Sequence, residues 1–392
     1  MSGCEKTGRC SNDYAVSSFA LQATAMLDPP ATLYSACRMA RASAKRCTRR
    51  GGGDAQAQAG RGPEGTVRRR PPGGWRQHSV GSEFEFRVEA LEEGGQIIRD
   101  HDAQPDSTLE RIVWTKEEEL SYLKERIPLQ VVQKSLLAAP SPRSFTDALL
   151  NSARSPALIA EVKKASPSKG VFQADYNPVA TAEAYEQGGA ACCSVLTDSR
   201  HFYGSFEHLL AIRSAGVSCP LLCKDFVLEA YQLAYARSKG ADAALLIASV
   251  LPTSDLDYLN RSAHKLGLQT LLEVHSLEEM DRALSISTPP DMLGINNRDL
   301  SDFSVSLSNT SELLKDGRME RIRENGSMVV AESGIATNED VLVLQQAGVD
   351  AILVGERLTR HSRSASGEIA ELYGDCMQEC ESIAATTGRD AG

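Results

Sequence analysis

Residues 159–170 read IAEVKKASPSKG, an apolar run that breaks into charge at Glu161, Lys163 and Lys164, then into Ser166-Pro167-Ser168-Lys169-Gly170. A short apolar run without alternation describes a strand buried on both faces. The charged end, with hydroxyls, a further cation and a glycine behind it, suits an anionic ligand better than it suits packing.

Seven more such runs follow, so that strand-like segments fall at residues 158–162, 191–196, 221–223, 243–248, 269–274, 292–295, 328–331 and 351–354. Helical segments separate them, opening on Asn177 before Pro178, Ser276 with Glu279, and Thr337 with Asp340. Each of these openings can satisfy backbone N–H groups that a first helical turn leaves unpaired. The helices close on Gly189, Gly216, Gly240, Gly267 and Gly348, as expected where a left-handed residue ends a helix. Doubly buried strands alternating with helices imply parallel pairing. Eight units predict an α/β fold of one kind, a closed (β/α)8 TIM barrel over residues 157–392. Upstream, Thr115 with Glu118 ahead of Leu120, Leu123 and Ile127 predicts one helix, and residues 145–153 a second. Together they make an N-terminal helical extension over 101–156 that closes the barrel's bottom or flanks its mouth.

The first 80 residues hold 13 lysines and arginines against 5 acids, although the whole chain carries a formal charge of −10. Clusters such as Arg49-Arg50-Gly51-Gly52-Gly53 and Arg68-Arg69-Arg70-Pro71-Pro72 cannot bury a core, so residues 1–100 are expected to form a disordered basic leader. Scarce acids and the lack of a signal-peptide-like apolar core suit an organelle transit peptide, with the plastid stroma as first destination. Basic tails also bind nucleic acid, but these clusters have no interleaved aromatics and no such partner is expected. No run is long enough to span a membrane. The ten cysteines lack metal or disulfide spacing. Cys192, Cys193, Cys219 and Cys223 read as buried thiols of a reducing compartment, and Cys376 with Cys380 shares one predicted helix face. His201, His208, His264 and His275 lack ligand spacing too.

A barrel carries its site at the carboxyl ends of its strands. Those ends bear Glu161 and Lys163 on the first strand, Lys224-Asp225 on the third and Glu273 on the fifth. The sixth ends in Asn296-Asn297-Arg298, the seventh in Glu332-Ser333-Gly334 and the eighth in Gly355-Glu356. One charged strand end is ordinarily a solvated boundary, but six converging on one rim are not so explained. Lys224 follows a buried run, and desolvation beside other cations predicts a lowered pKa suited to proton transfer, with Glu273 as its complementary base. The last two loops lie where barrels frequently hold phosphate on backbone N–H groups, although tight turns alone would want the same glycines. With Lys163, Lys164, Lys169, Lys224 and Arg298 gathered there, the expected ligand is a small anion with more than one charged group. Asp198 either supports the site or caps a loop.

Eight ordered segments resemble indole-3-glycerol phosphate synthase in its single-function plant and bacterial form. They are residues 140–145 (PSPRSF), 159–169 (IAEVKKASPSK), 194–198 (SVLTD), 221–226 (LLCKDF), 272–275 (LEVH), 294–298 (GINNR), 332–334 (ESG) and 354–356 (VGE). The resemblance, running from about residue 112 to 360, implies the substrate 1-(2-carboxyphenylamino)-1-deoxyribulose 5-phosphate. The implied reaction is a carbon–carbon lyase step of tryptophan biosynthesis that closes the indole ring with loss of carbon dioxide and water. It casts Lys224 as general acid, Glu273 as base, and Glu161, Lys163 and Asn296 in supporting catalytic positions. Ser166, Arg298, Glu332, Ser333, Gly334, Gly355 and Glu356 become ligand-holding positions, Glu356 through its backbone. No metal or organic cofactor is implied, since the substrate's carbonyl serves as electron sink, and association with other enzymes of the pathway stays open. Two departures stand out: Tyr203 in the loop 201–205 (HFYGS), where the family often has glutamine, and the segment after Thr359, which lacks the usual Asp-Pro-Gly-rich ending. The competing readings are another phosphate-binding barrel, such as phosphoribosylanthranilate isomerase, and a non-catalytic scaffold. The SPSKG loop beside the Lys224 and Glu273 pair argues against the first, and the intact strand-end charges against the second.

Overall fold

The computed structural model describes residues 62–69, 88–91, 97–100, 105–167, 169–172, 175–299, 304–360 and 365–374. Eight parallel strands close into a barrel in sequence order. They are β1 (Ala157–Val162), β2 (Cys192–Leu196), β3 (Leu221–Lys224), β4 (Ala243–Ile247), β5 (Gln269–Val274), β6 (Met292–Asn296), β7 (Met328–Glu332) and β8 (Ala351–Val354). Each predicted strand lies within one residue of these bounds. The strands are buried almost throughout because side chains alternate between the filled interior and the surrounding helices. Helix openings follow the predicted caps: the Asn177 side chain accepts from the Val179 and Ala180 amides, Ser276 from Glu279, and Thr337 from Asp340. All five helix-closing glycines have positive φ.

The N-terminal extension departs from expectation in two ways. It has three helices, α1 (Thr108–Arg126), α2 (Leu129–Ala138) and α3 (Phe145–Leu150). Helix α1 starts seven residues before Thr115, because Ser107 Oγ accepts from the Glu110 amide at 3.1 Å while the Glu110 carboxylate accepts from the Asp106 amide at 2.6 Å. Thr115 lies mid-helix, its hydroxyl donating to the Arg111 carbonyl. Helix α2 was not foreseen. It follows Pro128 with no capping side chain, and its stability comes from packing, with Val132 buried and the helix laid against Ala230–Ser238.

The extension serves both ends of the barrel. Lys116 of α1 reaches Asp198 and Asp225, just past β2 and β3. At the bottom, the amides opening α3, those of Phe145 and Thr146, donate to Gln269 Oε1 at 2.5 and 3.0 Å, and the Arg143 amide donates to Asp242 at 2.6 Å. After β8, the helix Ala365–Leu372 packs on Pro178–Gln187, and Tyr373 donates its hydroxyl to the Pro156 carbonyl at 2.8 Å.

Disorder across residues 1–100 does not hold for residues 62–69, which are bound to the barrel through Val67 and Ser249 at 3.0 Å. Val88–Leu91 and Ile97–Asp100 pair as an antiparallel hairpin. Composition averages over a stretch and is blind to a few residues with specific partners. The rest of the leader, Ser168, Cys376 and Cys380 lie outside the described residues.

Candidate active site

Strand register brings the polar ends to one rim. Lys224 pairs with Leu196 across β2 and β3, Glu273 sits beside Gly294 across β5 and β6, and Asn296 is level with Glu332 across β6 and β7. Side chains two apart on a strand share a face, so Glu161 and Lys163 both turn inward and form an ion pair. A cavity of about 810 Å³ opens there, and all twelve residues expected in catalytic or ligand-holding positions line it.

Its centre is a chain of charged hydrogen bonds. Lys224 Nζ donates to Glu273 Oε2 at 2.9 Å and to Glu332 Oε2 at 2.7 Å. Asn296 Nδ2 donates to Glu273 Oε1 at 2.9 Å, and Asn296 Oδ1 accepts from the Arg298 amide at 2.9 Å. One face of the cavity is apolar, built from Leu196, Phe202, Phe226, Leu245 and Ile247, with the two phenylalanine rings 6.2 Å apart. Lys163 lies 5.7 Å from the Phe172 ring. The cavity thus has apolar walls on one side and charged groups on the other.

The electrostatics reverse one expectation. Burial works to lower the Lys224 pKa, but its neighbours are Glu273, Glu332 and Glu161 rather than cations, and they hold it above the ordinary lysine range. For Glu273, burial works upward, yet the Lys224 charge and hydrogen bonds from Lys224 and Asn296 hold it below the usual carboxylate range. Glu332 goes the other way: burial, reinforced by Glu273 and Glu161 against the pull of Lys224, pushes it up from 4.5 to about 7. One ammonium between two carboxylates thus leaves one ionised and one protonatable near neutrality.

The Glu332 shift has a sign that can be measured. Its folded pKa is raised, so its contribution to stability is complete below pH 4.5 and is lost as pH rises through about 7. Glu332→Gln removes that titration. Chemical denaturation across this window should show wild-type stability falling relative to the variant as pH rises; parallel curves would contradict the assignment.

The remaining residues lie around the rim of the cavity. Ser333 and Gly334 take successive left-handed conformations, φ 66° and 79°, a turn that glycine eases at the second position. Gly355 lies against the ion pair instead, since a Cβ there would meet Glu161 Oε2 at 2.1 Å and Lys163 Nζ at 3.0 Å and push the ends of those side chains aside. Beyond the backbone role expected of it, Glu356 forms a side-chain ion pair with Lys169 and approaches Arg298 at 3.7 Å. Lys164 does not line the cavity. Its charge bears on His208, which burial and Lys164 together hold below the ordinary histidine range.

No motif in the sequence marks Lys116. Its ammonium, on a side chain 2 % exposed, lies 2.8 Å from Asp198, 2.8 Å from Asp225 and 2.9 Å from Glu119. Asp198 is therefore a supporting group: its other oxygen accepts from the His201 and Phe202 amides, fixing the loop that places Phe202 in the cavity wall. The available signal was a lysine on the buried stripe of α1, a stripe that includes Ile112, Val113 and Leu120. The apolar wall was missed because β4 ends without a charged residue.

Comparison with known proteins points to one family. A family model described as indole-3-glycerol phosphate synthase matches residues 109–372. The chain is 50 % identical over 281 residues to the indole-3-glycerol phosphate synthase of Microcystis aeruginosa, covering 72 % of this chain and 93 % of that one. The chain belongs to the indole-3-glycerol phosphate synthase family. It is also 48 % identical over 281 residues to the Arabidopsis thaliana protein named indole-3-glycerol phosphate synthase, chloroplastic, covering 71 % of this chain and 69 % of that one. A third relative of the same name, from Rippkaea orientalis, is 48 % identical over 273 residues and shares 70 % of this chain and 92 % of its own. The indole-3-glycerol phosphate synthase match begins within α1 and ends with helix Ala365–Leu372, so it contains every barrel strand and all twelve rim residues.

Proposed function

We propose that this chain closes the indole ring of 1-(2-carboxyphenylamino)-1-deoxyribulose 5-phosphate, with Lys224 as the proton donor. The observation that carries the division of labour is the Lys224 ammonium held between Glu273 and Glu332. The ring carbon bearing the carboxylate attacks the substrate's ketone, a carbon–carbon bond forms, and charge builds on the former carbonyl oxygen. Lys224 delivers a proton there. Such a positioned acid contributes about 10² to 10⁴ in rate. Lys163, oriented by Glu161, pairs with the carboxylate until carbon dioxide leaves and the ring regains aromaticity; breaking that carbon–carbon bond makes the enzyme a carboxy-lyase.

Dehydration needs a base and a second proton. Glu273, held ionised, takes the hydrogen whose loss completes the indole. Glu332, with a pKa near 7 and bonded to Lys224 at 2.7 Å, returns a proton to that lysine so that the hydroxyl leaves as water. Ser166, Arg298 and the backbone of Ser333, Gly334, Gly355 and Glu356 hold the phosphate and orient the sugar, in accord with the preference of barrels for phosphate after strands seven and eight. Purified protein given this substrate should develop indole fluorescence; none at any substrate concentration would overturn the proposal.

We further infer a plastid location. The basic, acid-poor leader and the Arabidopsis relative named chloroplastic support it. Among the described residues no helix is long and apolar enough to cross a membrane. A fluorescent fusion of residues 1–100 that stays in the cytosol contradicts the location.

A further inference from the structure

Residues 62–69 precede the family match, yet they are bonded at both ends of a bridge across the mouth side of the barrel. The Gly62 amide donates to the Thr66 carbonyl at 2.6 Å, and the Val67 amide donates to Ser249 at 3.0 Å, two residues beyond β4. Thr66 is buried. The Glu64 carboxylate accepts from the Thr253 amide at 2.8 Å and its hydroxyl at 2.7 Å. It thereby caps the helix Thr253–Lys265, whose own N-cap residue, Pro252, supplies no side-chain bond. A cap from 189 residues away replaces the local one.

The other end grips α1. Arg68 binds Glu110 through two nitrogens at 2.7 and 3.2 Å and pairs with Asp106 at 2.9 Å, a bidentate geometry that fixes orientation as well as charge. Its carbonyl accepts from Trp114 Nε1 at 2.8 Å, and Trp114 is 2 % exposed. Arg69 pairs with Glu117 at 2.5 Å. Two arginines that by composition belong to the leader's basic cluster therefore have acidic partners on α1.

We propose that residues 62–69 are a retained strap tying α1 to the segment after β4, and that leader removal cuts upstream of Gly62. The maturation step rests on the plastid reading; the strap does not. A cut at Arg69 or later would strip the helix cap from Thr253 and uncover Trp114. It would also loosen the segment following β4, whose Leu245 and Ile247 line the cavity.

Initial tryptic cleavage of the full-length protein, followed by peptide mass mapping, tests the strap. Cutting after Arg68 and Arg69 should be at least about tenfold slower than after Arg49 and Arg50, since cleavage of a bonded segment waits on local opening. Combining Glu64→Ala with Glu110→Ala should erase that difference. Equal rates in the unaltered protein, or unchanged protection in the variant, would overturn the strap. Import of the full chain into isolated chloroplasts should yield a product whose first residue is Gly62 or earlier; one beginning at Arg69 or later overturns the maturation step. A chain that is not imported overturns the plastid reading and that step with it, while the tryptic comparison still decides the strap.

Discussion

Lys224→Ala is expected to lower kcat by about 10² to 10⁴ while changing KM far less, because the lost group acts on charge that develops only as the ring closes. The protein should stay folded by circular dichroism, since the Lys224 side chain, 13 % exposed, reaches into the cavity rather than into packed core. Lys224→Arg should fail to restore turnover: the longer, planar guanidinium keeps the charge but cannot take the compact ammonium's place between Glu273 and Glu332. A purely structural lysine predicts the reverse, lowered stability with kcat intact at saturating substrate. Steady-state kinetics on the two variants separates these outcomes, and near-wild-type turnover by either one would remove Lys224 from the mechanism. The same substitution leaves Glu273 and Glu332 without their shared cation, so the lowered pKa of Glu273 should be lost as well.

The largest stability effect is expected at Lys116. Burial opposes its charge, but Asp225, Asp198 and Glu119 outweigh burial and keep it protonated. Lys116→Met removes the cation and leaves those carboxylates facing one another, and deleting one partner of a buried ionic cluster costs about 3 to 5 kcal/mol. Lys315→Met, which breaks an exposed ion pair with Glu312 on side chains 57 % and 61 % exposed, should cost under about 1 kcal/mol. Urea denaturation of both variants at neutral pH makes the comparison, and equal midpoints would mean that the buried cluster contributes no more than a surface pair. The expected loss has a functional side, because Asp198 and Asp225 are where α1 grips the loop carrying Phe202 and the end of β3 carrying Lys224.

Much of this was legible in one dimension because the determining signals are local. A buried parallel strand announces itself as an apolar run, and a glycine such as Gly240 closes a helix whatever surrounds it, so eight strands could be placed within a residue. The capped helices at Asn177, Ser276 and Thr337 were legible for the same reason. Helix α2 was not, because Leu129–Ala138 lacks a capping side chain and is held by contact with a helix about a hundred residues later. In one dimension residues 62–69 look like part of a basic leader, because their partners, Ser249 and Thr253, are far along the chain.

The sequence by itself determined the barrel, the family and the inventory of charged groups at the strand ends, since repeat, caps and motifs are properties of neighbours in the chain. Only the tertiary structure decided what those charges do to one another. Lys224 was expected among cations, with a lowered pKa, and it stands among carboxylates with a raised one. Glu332, expected to hold ligand, also lies 2.7 Å from Lys224, where burial raises its pKa to about 7. The physical reason is that a pKa is set by burial and by charges within a few ångströms, and strand register and barrel closure, not sequence spacing, bring Lys224, Glu273 and Glu332 that close.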